Sequence, residues 1–157
     1  MLNAGELIPE TITIELVNSA LDNTDCKVHG WVLDGFPETK EQSDALDTIG
    51  IRLSHVIFLD AADDVVYQRI DDRKIDPQTG IAYSPNTAAP SDDIANRLIV
   101  APEDSHEAVK SRLARYKENV AELNEKYTNI STMLKAENDV SNITQKISDA
   151  LEQSITL

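Results

Sequence analysis

The run from Val28 to Pro37, VHGWVLDGFP, constrains this chain more than any other stretch. Trp31-Val32-Leu33 is apolar without a break, which suits a strand buried on both faces. The run stops on Asp34. Gly35 permits a tight turn there, and Pro37 fixes the exit of the backbone. An acid at the carboxyl end of a parallel strand lies where open α/β sheets receive ligands. A second such run, Val56-Ile57-Phe58-Leu59, closes on Asp60. Two continuous apolar strands with helical patterns around them predict a parallel sheet covered by helices.

The remaining segments fit that frame. Pro9 and Glu10 open a helix whose apolar stripe is Ile12, Leu16, Val17, Ala20 and Leu21. Residues 22–27 read as a polar loop. Thr39 caps a short helix from Lys40 to about Asp47, with Ala45 and Leu46 inward and Gly50 at its end. Asp63 caps a helix carrying Val66 and Ile70. Arg69 and Arg73 lie four apart on it and share a face. Asp76-Pro77-Gln78-Thr79-Gly80 is a turn signal between Lys74-Ile75 and Ile81-Ala82-Tyr83, so a small hairpin is predicted. Residues 84–101 read as a long loop with no Cys or His cluster, hence no metal knuckle. From Pro102 a long helix presents Val109, Leu113, Tyr116, Val120 and Leu123 as one buried stripe. A weaker strand is expected from Ile130 to about Ala136. After Asp139 comes a closing helix with Val140, Ile143, Ile147, Ala150 and Leu151 inward.

Composition narrows the function classes. A chain of 157 residues is expected to form one domain with its own core. Acids outnumber bases 28 to 14, a formal charge of −14, which argues against a nucleic-acid partner. No apolar run approaches the length of a membrane span, and the N-terminus has no signal-peptide pattern. The single Cys26 suits a reducing compartment, so a cytoplasmic location without a membrane partner is expected. His29, His55 and His106 share no motif spacing.

Several of these segments resemble the adenylate kinase family, the nucleoside monophosphate kinases. The family's central motif reads Asp-Gly-Phe-Pro-Arg-Thr with a Gln a few residues on. Here it is Asp34-Gly35-Phe36-Pro37-Glu38-Thr39 with Gln42. Ala4-Gly5-Glu6-Leu7-Ile8-Pro9 is similar to a family segment at the edge of the monophosphate site. Arg69, Arg73, Asp76-Pro77, Thr79-Gly80 and Tyr83 resemble the start of the kinase lid. Arg97-Leu98-Ile99 with Glu103-Asp104, then Lys110 and Arg112-Leu113, resemble the segment that follows it. The resemblance implies a three-layer parallel α/β domain over residues 1–157 with a lid-like insertion at 74–101. It implies that Arg69 and Arg73 engage a nucleotide's base and phosphates. Gln42 would read a monophosphate's adenine, and Arg112 would bridge the two phosphate groups. Asp34 would hold the water shell of a metal, indirectly.

The departures from the family pattern matter as much. Glu38 stands where an arginine would grip a phosphate, and Ala101 where a second, catalytic arginine is expected. None of the five glycines forms a Gly-x-x-x-x-Gly-Lys phosphate cradle. The cradle, with the first strand and first helix, is therefore expected to be missing, and with it one central strand of the sheet. Asp34 and Arg112 are then vestigial, and no catalytic residue is expected to be operative. Phosphoryl transfer depends on positioning and charge stabilisation, so these losses point away from turnover.

Three readings follow. The first is a non-catalytic domain serving as a structural or docking module in a larger assembly. Degenerate members of the family make a ciliary or axonemal setting the implied one. In this reading no cofactor is required, and another polypeptide supplies the absent strand. The second is the C-terminal piece of a split or truncated kinase acting on ATP and AMP. The third is a non-catalytic sensor of ATP, ADP or AMP, with magnesium.

Overall fold

The computed structural model describes residues 10–84, 90–137 and 139–152. The chain divides into two compact units. The first consists of residues up to Val56 together with Asn119–Ser131. The second consists of Ile57–Glu118 and the residues from Thr132 onward. The Ala4–Pro9 segment lies outside the described residues.

In the first unit, α1 spans Glu10–Leu21 and α2 Thr24–His29. α2 replaces the polar loop expected at 22–27. Its residues are polar, but their order suits a helix. Asp25 lies in the first turn, and Lys27 and His29 lie in the last, which complements the helix dipole. Asp25 also pairs with His29 four residues on, at 2.8 Å. The α1 stripe is corrected too. Leu21 is buried, whereas Ile12 and Leu16 stay exposed.

α3 spans Lys40–Thr48, and its start is the predicted one. The Thr39 hydroxyl accepts from the Gln42 N–H at 3.2 Å, satisfying an amide the helix cannot. Ser43 and Leu46 are wholly buried on its inner face. Ser43 Oγ and Tyr127 Oη share a hydrogen bond of 2.6 Å. Lys126 grips both Asp44 and Asp47 at 2.7 Å. Burial alone would lower the Lys126 ammonium's pKa. The two carboxylates outweigh that and hold it above its ordinary value.

The strand expected at Trp31-Val32-Leu33 is absent. These residues have no ladder, and Val32 is 91% exposed. The reason is physical. A strand forms only where a neighbour takes its N–H and C=O groups, and no described strand lies beside this run.

The second unit holds the sheet. β1, Val56–Asp60, pairs with β4, Ser131–Lys135. Val56 N donates to Ile130 O and Ala136 N donates to Asp60 O, so the two strands run the same way. The architecture is therefore mixed α/β with a small parallel sheet, two described strands wide. Lys135 pairs with Asp60 at the carboxyl end. The Tyr116 hydroxyl donates to the Leu59 carbonyl at 3.2 Å.

α4 spans Asp63–Asp71, with Ala62 rather than Asp63 as its cap. Asp63 instead pairs with Lys117 at 2.6 Å. Arg73 thus lies beyond the helix end and does not share a helical face with Arg69. The predicted hairpin is present as β2, Lys74–Ile75, and β3, Ala82–Tyr83, paired antiparallel. Gly80, at φ 72°, provides the left-handed residue its turn needs. Within the expected loop at 84–101, the described residues carry two pieces of local structure. α5 spans Asp92–Ala95, and Ile99 bridges back to Ile75.

Pro102–Asp104 forms a 3-10 turn, so α6 begins at His106 and runs to Lys126. Val109 is fully buried, and Tyr116 is more exposed than its stripe implied. α7 spans Val140–Glu152, capped by Asp139, whose carboxylate accepts from Asn142 N at 2.9 Å. Ala150 is buried, but Val140 and Leu151 face outward, not inward as expected.

Tyr127→Phe should leave the buried Ser43 hydroxyl unpaired and lower stability by about 1–3 kcal/mol. Adding Ser43→Ala should recover much of that loss, since both polar groups are then gone. Denaturant melts of the two variants check this, and a double variant no better than Tyr127→Phe would refute it.

Candidate functional site

The sequence-predicted site residues fall in both units. In the first unit, Gly35 holds φ at 69°, which only glycine adopts freely, and starts the turn after Asp34. Asp34 is exposed at a bend, not at a strand end. Gln42 is half-buried at the start of α3. Its Oε1 accepts from Glu38 N at 2.7 Å while its own N–H is capped by Thr39. The side chain closes the helix entry, and Glu38 follows directly on the cis Phe36–Pro37 bond.

In the second unit, Arg69 is exposed on the last turn of α4 and makes no hydrogen bond or ion pair with described residues. Arg73 is committed. Its Nη1 donates to Asp104 Oδ2 at 2.5 Å. The Asp104 side chain is only 3% exposed and that of Arg73 39%. Arg112 Nη1 donates to the Glu103 carbonyl at 3.4 Å, a long contact. Two of the three site arginines in this unit thus turn onto one short turn, Pro102–Asp104. Ala101, standing where a cation was expected, is 5% exposed and caps that turn.

The hairpin carries an ion pair that no sequence signal announced. Asp76 is 0% exposed and accepts from Arg97 Nε at 2.8 Å and Nη2 at 2.6 Å. It also accepts from Gln78 N at 3.0 Å and Thr79 Oγ1 at 2.9 Å. Every oxygen of a buried carboxylate is thereby satisfied. Arg97, with opposing burial overcome, holds the Asp76 carboxyl far below the usual carboxylate range, and Gln78 and Thr79 add to this. Asp76 was legible only as a turn residue. Arg97, 21 residues on, has no spacing that ties it to Asp76. Asp104 was legible only as a helix-start acid.

Among the described residues no group of three or more His, Cys, Asp or Glu could hold a metal ion. Asp34 offers a single exposed carboxylate. A shallow cleft of about 630 Å³ lies against α4, lined by Asp64, Tyr67, Gln68, Asp71, Asp72 and His106. None of the site arginines lines it.

The family model for adenylate kinase matches residues 1–132. This chain belongs to the adenylate kinase family. It is 34% identical over 151 residues to the chloroplastic adenylate kinase of Zea mays, covering 96% of this chain and 68% of that one. To the probable chloroplastic adenylate kinase 2 of Oryza sativa subsp. japonica it is 32% identical over 155 residues, 98% and 53%. To the adenylate kinase of Francisella tularensis subsp. novicida (strain U112) it is 34% identical over 137 residues, 84% and 62%. The chain thus spans between about half and two thirds of the length of these adenylate kinases. No helix among the described residues is long and apolar enough to cross a membrane.

The Asp76–Arg97 clasp has a pH signature. A carboxylate whose pKa is lowered on folding adds stability that is present above its unfolded pKa of about 3.9. That stability fades as the pH falls from there towards the lowered folded value. Protection of the hairpin amides, relative to their intrinsic exchange rate at each pH, should therefore fall only in acid well below neutrality. Asp76→Asn should lower that protection at neutral pH and flatten its acid dependence. A hairpin equally protected in parent and variant would count against the clasp.

Proposed function

We propose that this adenylate-kinase-like domain does not transfer phosphoryl groups by itself and serves as a structural or docking module. The observation that carries the reading is the commitment of its cations. Arg73 is neutralised by Asp104, Arg112 turns onto Glu103, and buried Ala101 supplies no charge where one was expected. Glu38 adds a negative charge beside the turn after Asp34, and Gln42 is spent on capping. A polyphosphate would have to displace internal acceptors in a chain of net charge −14. The relatives are named adenylate kinases, and in this reading Glu38 and Ala101, where two arginines were expected, keep that activity from this domain.

A coupled assay for ADP, with ATP, AMP and magnesium, should read background. Calorimetry with each nucleotide at low salt, where attraction is least screened, should give weak binding or none. Turnover that survives repurification and disappears in Arg73→Ala would overturn the reading.

The partner proposed for the module is a polypeptide that lends a strand to the Trp31–Leu33 run. The run is apolar and extended, and it makes no ladder of its own. In the isolated chain the amides of residues 31–33 should exchange as fast as an unprotected peptide. Slow exchange there would show that the run needs no partner.

A further inference from the structure

An aspartate or asparagine is followed by glycine or serine at three places, Asn18–Ser19, Asp34–Gly35 and Asp104–Ser105. In each, the backbone nitrogen of the small residue lies one ring closure away from the side-chain carbonyl carbon before it. Attack closes a five-membered imide when two conditions hold. The nitrogen must not be donating to another acceptor, and the side chain must be free to rotate towards it.

The structure separates the three. Asn18–Ser19 lies inside α1, where the helical ladder engages the N–H groups and fixes the backbone. At Asp104–Ser105 the Ser105 N–H donates to Pro102 O at 3.2 Å, and the carboxylate is sealed against Arg73. Asp34–Gly35 meets both conditions. Both residues are exposed, at a bend. Neither the Asp34 carboxylate nor the Gly35 N–H has a hydrogen bond or ion pair with described residues. Gly35 has no side chain to cover its nitrogen, and even an added Cβ would meet only Glu38 Oε1, at 3.9 Å. The preceding Trp31–Leu33 run belongs to no ladder that would hold the backbone still.

We propose that Asp34–Gly35 is a site of spontaneous covalent modification, forming a cyclic imide that reopens to isoaspartate. The Gly35 nitrogen bonds to Asp34 Cγ. Its proton and the carboxyl's hydroxyl leave together as water, so no oxidant, reductant or co-reactant is consumed. Water then opens the imide at one of two carbonyls. Opening at the side-chain carbonyl restores aspartate. Opening at the main-chain carbonyl routes the backbone through Cβ and Cγ and leaves the carboxylate on Cα. The backbone gains one carbon there, directly after Trp31–Leu33. The step needs neither nucleotide nor partner, so it is independent of the reading of the domain as inactive.

The full chain is aged in warm, mildly acidic buffer, folded and in urea. Isoaspartate is labelled by an isoaspartyl methyltransferase with a labelled methyl donor, and peptide mapping places the label and any imide, lighter by one water. In the folded chain, label should gather at Asp34–Gly35 as fast as it does in urea. At Asn18–Ser19 and Asp104–Ser105 it should appear in urea alone. Asp34→Glu should lose the label at this peptide, because glutamate closes a larger ring less readily. Labelling at Asp34 about tenfold or more slower in the folded chain than in urea, the mark of a segment held by structure, overturns the proposal. So does label at that peptide that survives Asp34→Glu, or a folded chain that never acquires any.

Discussion

A strand is stable only where another strand accepts its hydrogen bonds, and that constraint sorts this fold. Val56–Asp60 meets it because Ser131–Lys135 lies alongside, and both become strands. Trp31–Leu33 is as apolar and as well punctuated, yet it remains without regular structure and leaves Val32 in solvent. Burial follows the ladder. Phe58 on the paired strand is covered. The apolar side chains that stay outside include Val32 in the unpaired run and Leu59 and Met133 on β1 and β4.

Charge follows a similar economy inside each unit. The chain has twice as many acids as bases, and several of its bases meet an acid. Lys126 takes two, and Lys117, Lys135, Arg73 and Arg97 take one each. Most such exposed pairs contribute little to stability. The pair at Asp76 differs, because that carboxylate is sealed from water and Arg97 holds it ionised. Arg73 and Arg97 are thereby engaged by the protein, while Arg69 stays exposed.

Much of the fold was legible because local chemistry and global outcome agree. Thr39 caps where its spacing to the next helix says it should, and the Asp-Pro-Gln-Thr-Gly turn makes its hairpin. The family was legible in the Asp34–Pro37 motif and the arginine spacings. What was not legible depends on partners distant in sequence. The absence of a neighbour for Trp31–Leu33 is a property of the sheet, not of those three residues. Arg97 finding Asp76, and Arg73 finding Asp104, are contacts across 21 and 31 residues with no periodicity to betray them. At Gln42 the structure adds a local contact to the role that the resemblance implied for the residue. Its carbonyl oxygen serves the Glu38 amide four residues back, a local use that sequence spacing permits as readily as a base contact.

The hairpin is closed by a carboxylate and a guanidinium, and that choice of materials sets what can disturb it. The one cysteine of the chain, Cys26, is far away in sequence and belongs to the other unit. A chelator finds no ion to withdraw from Asp76 and Arg97, and an oxidant finds no thiol. Only protons reach the chemistry that matters. The geometry of this small flap is therefore indifferent to metal supply and redox poise, the two variables to which a thiolate-bound equivalent would respond first.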